Sequence, residues 1–316
     1  MELFVRNACE AAARRAAPHI VHARFTAHDR GWDCLVLEAG TMMFKFPRHA
    51  AAEARLEREA RTLQFAAHHA AVPVPALQLV RDCALAAAGG PALFSAHEAI
   101  AGPILTGDAY RAMDESAREK LAASIAATYV PFHAAGLADA QAAGVCAVPA
   151  WPSPEALAEM AAARLAPPAA ALARSVLRRF AHDARDITVF GHFDTHGWNL
   201  ALDESGVQVA GLFDFGHSGV GPLHRDLSYP AFVSADCAVR VARHYAASTG
   251  RRVDIARLLN THAVLRLVEL FDAAAEEIPS RSAAFCATME AIATRGISDI
   301  AVNASGMAGH REDPRS

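Results

Sequence analysis

Residues 188–226 read TVFGHFDTHGWNLALDESGVQVAGLFDFGHSGVGPLHRD, and the polar side chains in this stretch are spaced for chemistry. His192, Asp194 and Asn199 fall in one loop, and Asp214-Phe215-Gly216 opens a second. Between the loops, apolar runs at 200–202 and 207–213 flank the turn Asp203-Glu204-Ser205-Gly206. That pattern predicts a hairpin of fixed length that keeps the two loops together. Phosphoryl transfer needs a carboxylate to orient the attacking hydroxyl, oxygen ligands to hold Mg²⁺ on nucleotide phosphates, and a cation on those phosphates. Asp194, then Asn199 with Asp214, then Lys45 could fill these roles.

The same loop also spells His192-x-Asp194-x-His196, with His217 and His224 downstream, the raw material of a zinc-dependent hydrolase. That reading leaves Asn199, Lys45 and Glu59 without a task, and sixteen histidines are scattered along the chain. Asp and Asn also favour turns for purely local reasons. The region is crowded with glycines, but no G-x-x-x-x-G-K-[ST] phosphate loop occurs, so they read as turn formers.

Lys45 needs a rigid support. Runs at 34–37 and 42–46 flank Glu38-Ala39-Gly40-Thr41, which predicts a hairpin with a four-residue loop whose second strand ends at Pro47. Period-two alternation sends Met42, Phe44 and Phe46 to one face and Met43 and Lys45 to the other. Residues 50–69 lack Gly and Pro and are dense in Ala, Leu, Glu and Arg, which predicts a helix of several turns. Leu56, Glu59 and Leu63 share its apolar stripe, and a carboxylate there calls for a cation. Another strand is expected at 92–99, and from about Asp108 most of the chain reads as helices. Near the C-terminus Glu269, Asp272 and Glu276 recur on one helix face, either a solvated face beside Arg266 or an acidic stripe for a cationic substrate. The polar tail 303–316 is expected to be frayed.

Length and composition bound the alternatives. A chain of 316 residues fits about two domains. Thirty Lys and Arg against thirty-four Asp and Glu give a net charge of -4 without a basic block, which argues against a nucleic-acid partner. Six well-separated cysteines without a CxxC pair read as reduced thiols. Charges at Glu2, Arg6, Glu10, Arg14 and Arg15 interrupt any signal-peptide core, and no uninterrupted apolar stretch is long enough for a membrane span. A cytoplasmic location is expected.

Taken together, the motifs resemble the aminoglycoside phosphotransferase family, small-molecule relatives of the protein kinases. His192-Phe193-Asp194 followed by Asn199 matches H-x-D-x-x-x-x-N, and Asp214-Phe215-Gly216 matches the following D-F-G. Gly31-Trp32-Asp33, 44–48, Arg58-Glu59, 72–75 and Phe132-His133 resemble further family signatures in the same order, so the likeness spans residues 31–229. The resemblance implies a bilobal, protein-kinase-like α+β fold. Residues 1–100 would form a nucleotide-binding sheet-plus-helix lobe, 101–302 a mainly helical lobe with the catalytic loop, metal site and acceptor pocket, and 303–316 a flexible tail. It implies Asp194 as the catalytic residue, Asn199 and Asp214 as Mg²⁺ ligands, and a Lys45–Glu59 pair on the phosphates of ATP or GTP. The Glu98 carbonyl and Ile100 amide would hold the purine, Gly31–Asp33 could cap the phosphates, and Asp226 would anchor the catalytic loop. The acceptor would be a small hydroxylated molecule: an aminoglycoside, a macrolide, another antibiotic or an amino alcohol. Phe193 where Gly is usual, Pro222 in place of a common Asp, and His217 directly after D-F-G depart from the pattern and bear on substrate contacts. An inactive pseudokinase serving as a binding module is the remaining alternative.

Overall fold

The computed structural model describes residues 3–28, 34–182 and 186–275, together with 283, 286, 287, 289 and 290. Helix α1 (Leu3–Ala16) precedes strands β1 (Phe25–His28), β2 (Cys34–Ala39) and β3 (Met42–Pro47). Then come helix α2 (Ala50–His69), β4 (Gln78–Arg81), the short α3 (Cys83–Ala87) and β5 (Leu93–Glu98). The strands form one antiparallel sheet in the order β1-β2-β3-β5-β4.

The β2–β3 hairpin is tighter than expected from sequence. Pairing continues to Ala39↔Met42, so the loop is the two residues Gly40-Thr41 rather than four. Gly40 adopts φ +62, which a side chain would resist. The Thr41 carbonyl also accepts from Ala99 N at 2.6 Å, which rewards the tight turn. Alternation along β3 holds as expected: Phe44 and Phe46 enter a core shared with Cys9, Ala12, Leu35, Leu37 and Phe94, and Phe46 stacks on Phe94 at 4.6 Å. Lys45, on the other face, meets α2. Helix α2 spans the residues expected of it, with Leu56, Glu59 and Leu63 all buried.

The larger part is mainly helical: α4 (Gly107–Ala112), α5 (Glu115–Ala134), α6 (Leu137–Ala142), α7 (Pro154–Arg164) and α8 (Pro167–His182). After two small strand pairs follow α9 (Leu223–Leu227), α10 (Ala235–Thr249) and α11 (Ile255–Ala275). Strands β6 (Thr188–Gly191) and β9 (Gly219–Pro222) pair antiparallel, and β7 (Leu200–Leu202) pairs with β8 (Val209–Leu212). The β7–β8 loop covers 203–208, longer than the four-residue turn expected, because Asp203 closes it. Its amide donates to the Gln208 carbonyl at 2.9 Å, and its carboxylate accepts from Ser205 Oγ and Gln208 N.

One core joins Leu63, Phe65 and Ala66 of α2 to α5, α10, Phe190, Leu200, Leu212 and Phe215, which ties α2 to both polar loops. Helices α7, α8 and α11 build a second apolar cluster. Arg240 on α10 straps α5 through Glu115 at 2.7 Å and through Glu119. Among the described residues no helix is long and apolar enough to cross a membrane. All six cysteines are free, with Cys83 and Cys146 exposed and Cys9 and Cys237 buried.

Candidate active site

Lys45 reaches from β3 to two carboxylates. Its Nζ lies 3.0 Å from Glu59 Oε1 on α2 and 2.9 Å from Asp214 Oδ1 at the end of the β7–β8 hairpin. Glu59 is 5% exposed and its Oε1 also accepts from the Phe215 amide at 3.2 Å, so one carboxylate fixes both the lysine and the second loop. Burial works to lower the Lys45 pKa, but Asp214 and Glu59 together raise it, and the ammonium stays charged. Lys45 in turn holds the Asp214 carboxyl well below the usual carboxylate range. Burial pushes Glu59 up, with Lys45 pulling it back in part. Asp214 itself sits at φ +66, a left-handed turn that short Asp side chains tolerate, and its side chain is 48% exposed.

The first loop is stitched to the second. Phe213 donates its amide to the Asn199 carbonyl at 3.1 Å, His192 Nε2 donates to the Phe213 carbonyl at 3.1 Å, and Ser218 Oγ donates to the His192 carbonyl at 3.1 Å. Asn199 ends a tight turn over Gly197–Asn199 and gives its Nδ2 to both Asp194 Oδ2 and the Asp194 carbonyl, each at 2.9 Å. Asp194 is thus clamped in one orientation. Burial, reinforced by the Asp214 charge, lifts its carboxyl well above the ordinary range.

Asp226, on α9, is fully buried and takes the Phe193 amide on Oδ1 at 2.6 Å. This contact depends on Gly191, because a Cβ there would lie 2.1 Å from Asp226 Oδ2. Phe193 has φ +56, and its ring fills a cluster with Tyr229, Phe232 and Leu265. The departure from Gly at this position therefore exchanges backbone ease for a buried aromatic anchor.

Among the described residues the histidines do not assemble a zinc site. Burial lowers His192 to about 4 and His196 to about 3, which leaves neutral rings near pH 7, but His192 spends Nε2 on the Phe213 carbonyl. His196 Nε2 approaches Asp194 Oδ1 at 3.4 Å. Among the described residues no three His, Cys, Asp or Glu side chains are grouped to hold a metal. Asn199 and Asp214 instead fit a hard cation. The Asn199 amide nitrogen is committed to Asp194, which leaves its oxygen as the donor, and Asp214 uses only Oδ1 for Lys45.

The remaining expected residues are distributed as follows. Glu98 closes β5, its carbonyl accepts from His97 Nδ1 at 2.9 Å, and Ile100 lies two residues beyond. The following segment crosses to the larger part, where Leu202 N donates to the Pro103 carbonyl at 2.9 Å and Ile104 bridges Ala201. Glu269 is ion-paired with Arg266 at 2.6 Å, Asp272 is exposed on the same helix, and Arg266 stacks over Phe232. Gly31–Asp33, Glu276 and the tail lie outside the described residues. Sequence reasoning missed the Phe215 amide as the second partner of Glu59, and the Ser218 link to the His192 carbonyl, because residue type and spacing do not announce a backbone partner.

Three comparisons bear on this arrangement. The profile of the phosphotransferase enzyme family matches residues 25–259. No curated protein sequence matches the chain. Among solved structures, the GDP complex of an aminoglycoside 2'-phosphotransferase superposes with TM-score 0.77 at 15% identity, covering 91% of this chain and 99% of that one. The apoenzyme of a macrolide 2'-phosphotransferase from Brachybacterium faecium gives 0.66 at 18% identity, covering 88% and 97%. An ADP-bound aminoglycoside phosphotransferase gives 0.58 at 13% identity, covering 97% and 99%.

Proposed function

Because the chain belongs to the phosphotransferase enzyme family, we propose that it moves the γ-phosphate of ATP or GTP to a hydroxyl of a small molecule. An aminoglycoside, a macrolide, another antibiotic or an amino alcohol is the acceptor class. The observation that carries this reading is the convergence of Lys45 with Glu59 and Asp214 beside a separately clamped Asp194.

Lys45, oriented by Glu59, holds the nucleotide phosphates, and the linker carrying Glu98 and Ile100 receives the purine. Asn199 and Asp214 are the residues that would hold Mg²⁺, which when bound draws charge from the phosphate oxygens. Asp194 accepts a hydrogen bond from the acceptor hydroxyl and sets it in line with the phosphorus. Its raised pKa makes it a stronger proton acceptor than an exposed carboxylate, and catalysis is then chiefly positioning plus electrostatics. The arrangement favours this reading over zinc hydrolysis, since Asn199, Lys45 and Glu59 all acquire a task. It favours it over a pseudokinase too, since each chemical role has a residue in place.

The test is Asp194→Ala, assayed with Mg²⁺ and ATP or GTP against a panel of aminoglycosides, macrolides and amino alcohols. Turnover should fall about 10²- to 10⁴-fold, the range for loss of a general base, while nucleotide affinity holds. Undiminished turnover overturns the assignment. A thermal-shift series sorts the class: nucleotide with Mg²⁺ should raise the melting midpoint and Zn²⁺ alone should not.

A further inference from the structure

Phe193 stands immediately before Asp194 in a backbone region that is strained for a bulky residue, so its surroundings must hold it there. The hold begins at Asp226 Oδ1, 2.6 Å from the Phe193 amide, and does not stop at that carboxylate. Asp226 Oδ2 lies 2.8 Å from His133 Nε2 on α5, and both side chains are completely buried. With Nε2 donating to that carboxylate, Nδ1 is the ring atom left to accept. That atom meets the Tyr245 hydroxyl of α10 at 3.0 Å. Arg251, two residues past the end of α10, donates Nη1 to the same hydroxyl oxygen at 3.1 Å and Nη2 to the His133 carbonyl at 3.0 Å. With its oxygen accepting from the guanidinium, the phenol turns its proton to the imidazole.

We propose that Tyr245 and Arg251 are positioning residues for phosphoryl transfer, fixing the His133 tautomer that braces Asp226 and, through the Phe193 amide, the direction of Asp194. The proposal rests on Asp194 being the residue that orients the acceptor. None of the four supporting side chains touches the reacting groups. What they supply is a chain of directional bonds from a half-buried arginine to the backbone beside the carboxylate. A fully buried Tyr245 in an apolar helix interface could equally be filled by Phe, which makes the hydroxyl the informative atom.

The test compares Tyr245→Phe, Arg251→Gln and Arg251→Lys in the full chain, measuring Mg²⁺-dependent ATP and GTP hydrolysis to water, nucleotide Kd, and ring-nitrogen NMR of His133. Tyr245→Phe and Arg251→Gln should lower kcat about 10-fold, inside the ~10²-fold that slight misplacement can cost. Nucleotide Kd should stay within about twofold, and the His133 Nδ1 resonance should shift as its donor is lost. Arg251→Lys should recover part of kcat. Unchanged kcat in Tyr245→Phe and Arg251→Gln overturns the proposal, as does a parallel loss of kcat, nucleotide affinity and Tm, the mark of a merely structural role. Asp194→Ala run alongside separates the two readings. If that variant keeps its turnover, the catalytic assignment fails, while the His133 resonance still reports whether Tyr245 and Arg251 set the tautomer.

Discussion

Removing the ammonium at position 45 tests the electrostatic centre of the site most directly. In Lys45→Met, Glu59 keeps only the Phe215 amide as a donor and faces Asp214 without a cation between them. Deleting one partner of a buried ion pair costs about 3–5 kcal/mol. Lys45 is 15% and Asp214 48% exposed, so solvent relieves part of the strain and the lower end, about 3 kcal/mol, applies at pH 8. Taking the lower end of the ~2–4 °C per kcal/mol seen for larger domains, Tm should fall about 6 °C. The loss should depend on pH in a defined direction. Without the lysine the Glu59 pKa, already raised by burial, rises further. A carboxyl whose folded pKa exceeds its unfolded value of about 4.3 stabilises fully below that value and loses the contribution as pH climbs through the folded one. The gap from wild type should therefore be smaller near pH 5, where the lost Lys45–Asp214 attraction still counts, and widest near pH 8. Lys45→Met/Glu59→Met should regain part of the stability, since apolar replacement of a buried pair is often neutral. It should fall short by about 1–2 kcal/mol for the Phe215 amide left unpaired. Melts by circular dichroism from pH 5 to 8 decide the matter: a pH-independent loss, or a double variant no better than the single one, refutes the reasoning.

Gly191→Ala should place a methyl 2.1 Å from Asp226 Oδ2 and cost at least the ~1–3 kcal/mol of ordinary overpacking; an unchanged urea midpoint would show that the Asp226 contact is not tight. Since burial lifts the Asp194 carboxyl, kcat should climb with pH through a value above the usual carboxylate range, and a profile flat down to pH 4 would contradict this. Asp214→Ala should abolish the Mg²⁺-dependent part of nucleotide binding while leaving the fold intact, as titration calorimetry with and without Mg²⁺ would read.

Much of the site was legible because local pattern and tertiary demand agreed. The alternation that isolates Lys45 and the 3.6-residue stripe that buries Glu59 are periodicities any short window displays, and both hold in the structure. The loop ends were not legible, because Thr41 and Asp203 gain hydrogen bonds from partners outside the turn itself. Edge strands β1, mostly half-buried, and β4, mostly exposed, are four residues each and carry no clean alternation to signal them. The positive φ of Phe193 contradicts its own propensity and is sustained by Asp226, 33 residues away, and by His133, 93 residues from that aspartate. No window along the chain contains that information. From sequence the stripe at Glu269 and Asp272 reads as either solvated or substrate-facing, and in the structure Arg266 accounts for the first carboxylate.

The cysteines noted in the fold have a practical use. Cys83 and Cys146 are the two exposed thiols, the first in the sheet-bearing part and the second in the helical part. Burial drives the Cys9 and Cys237 thiols up to about 11 and about 12, so they form little reactive thiolate at neutral pH. A dye pair introduced by maleimide chemistry should therefore favour positions 83 and 146, and energy transfer between them would register any change in the separation of the two parts when nucleotide is added, without a single engineered residue.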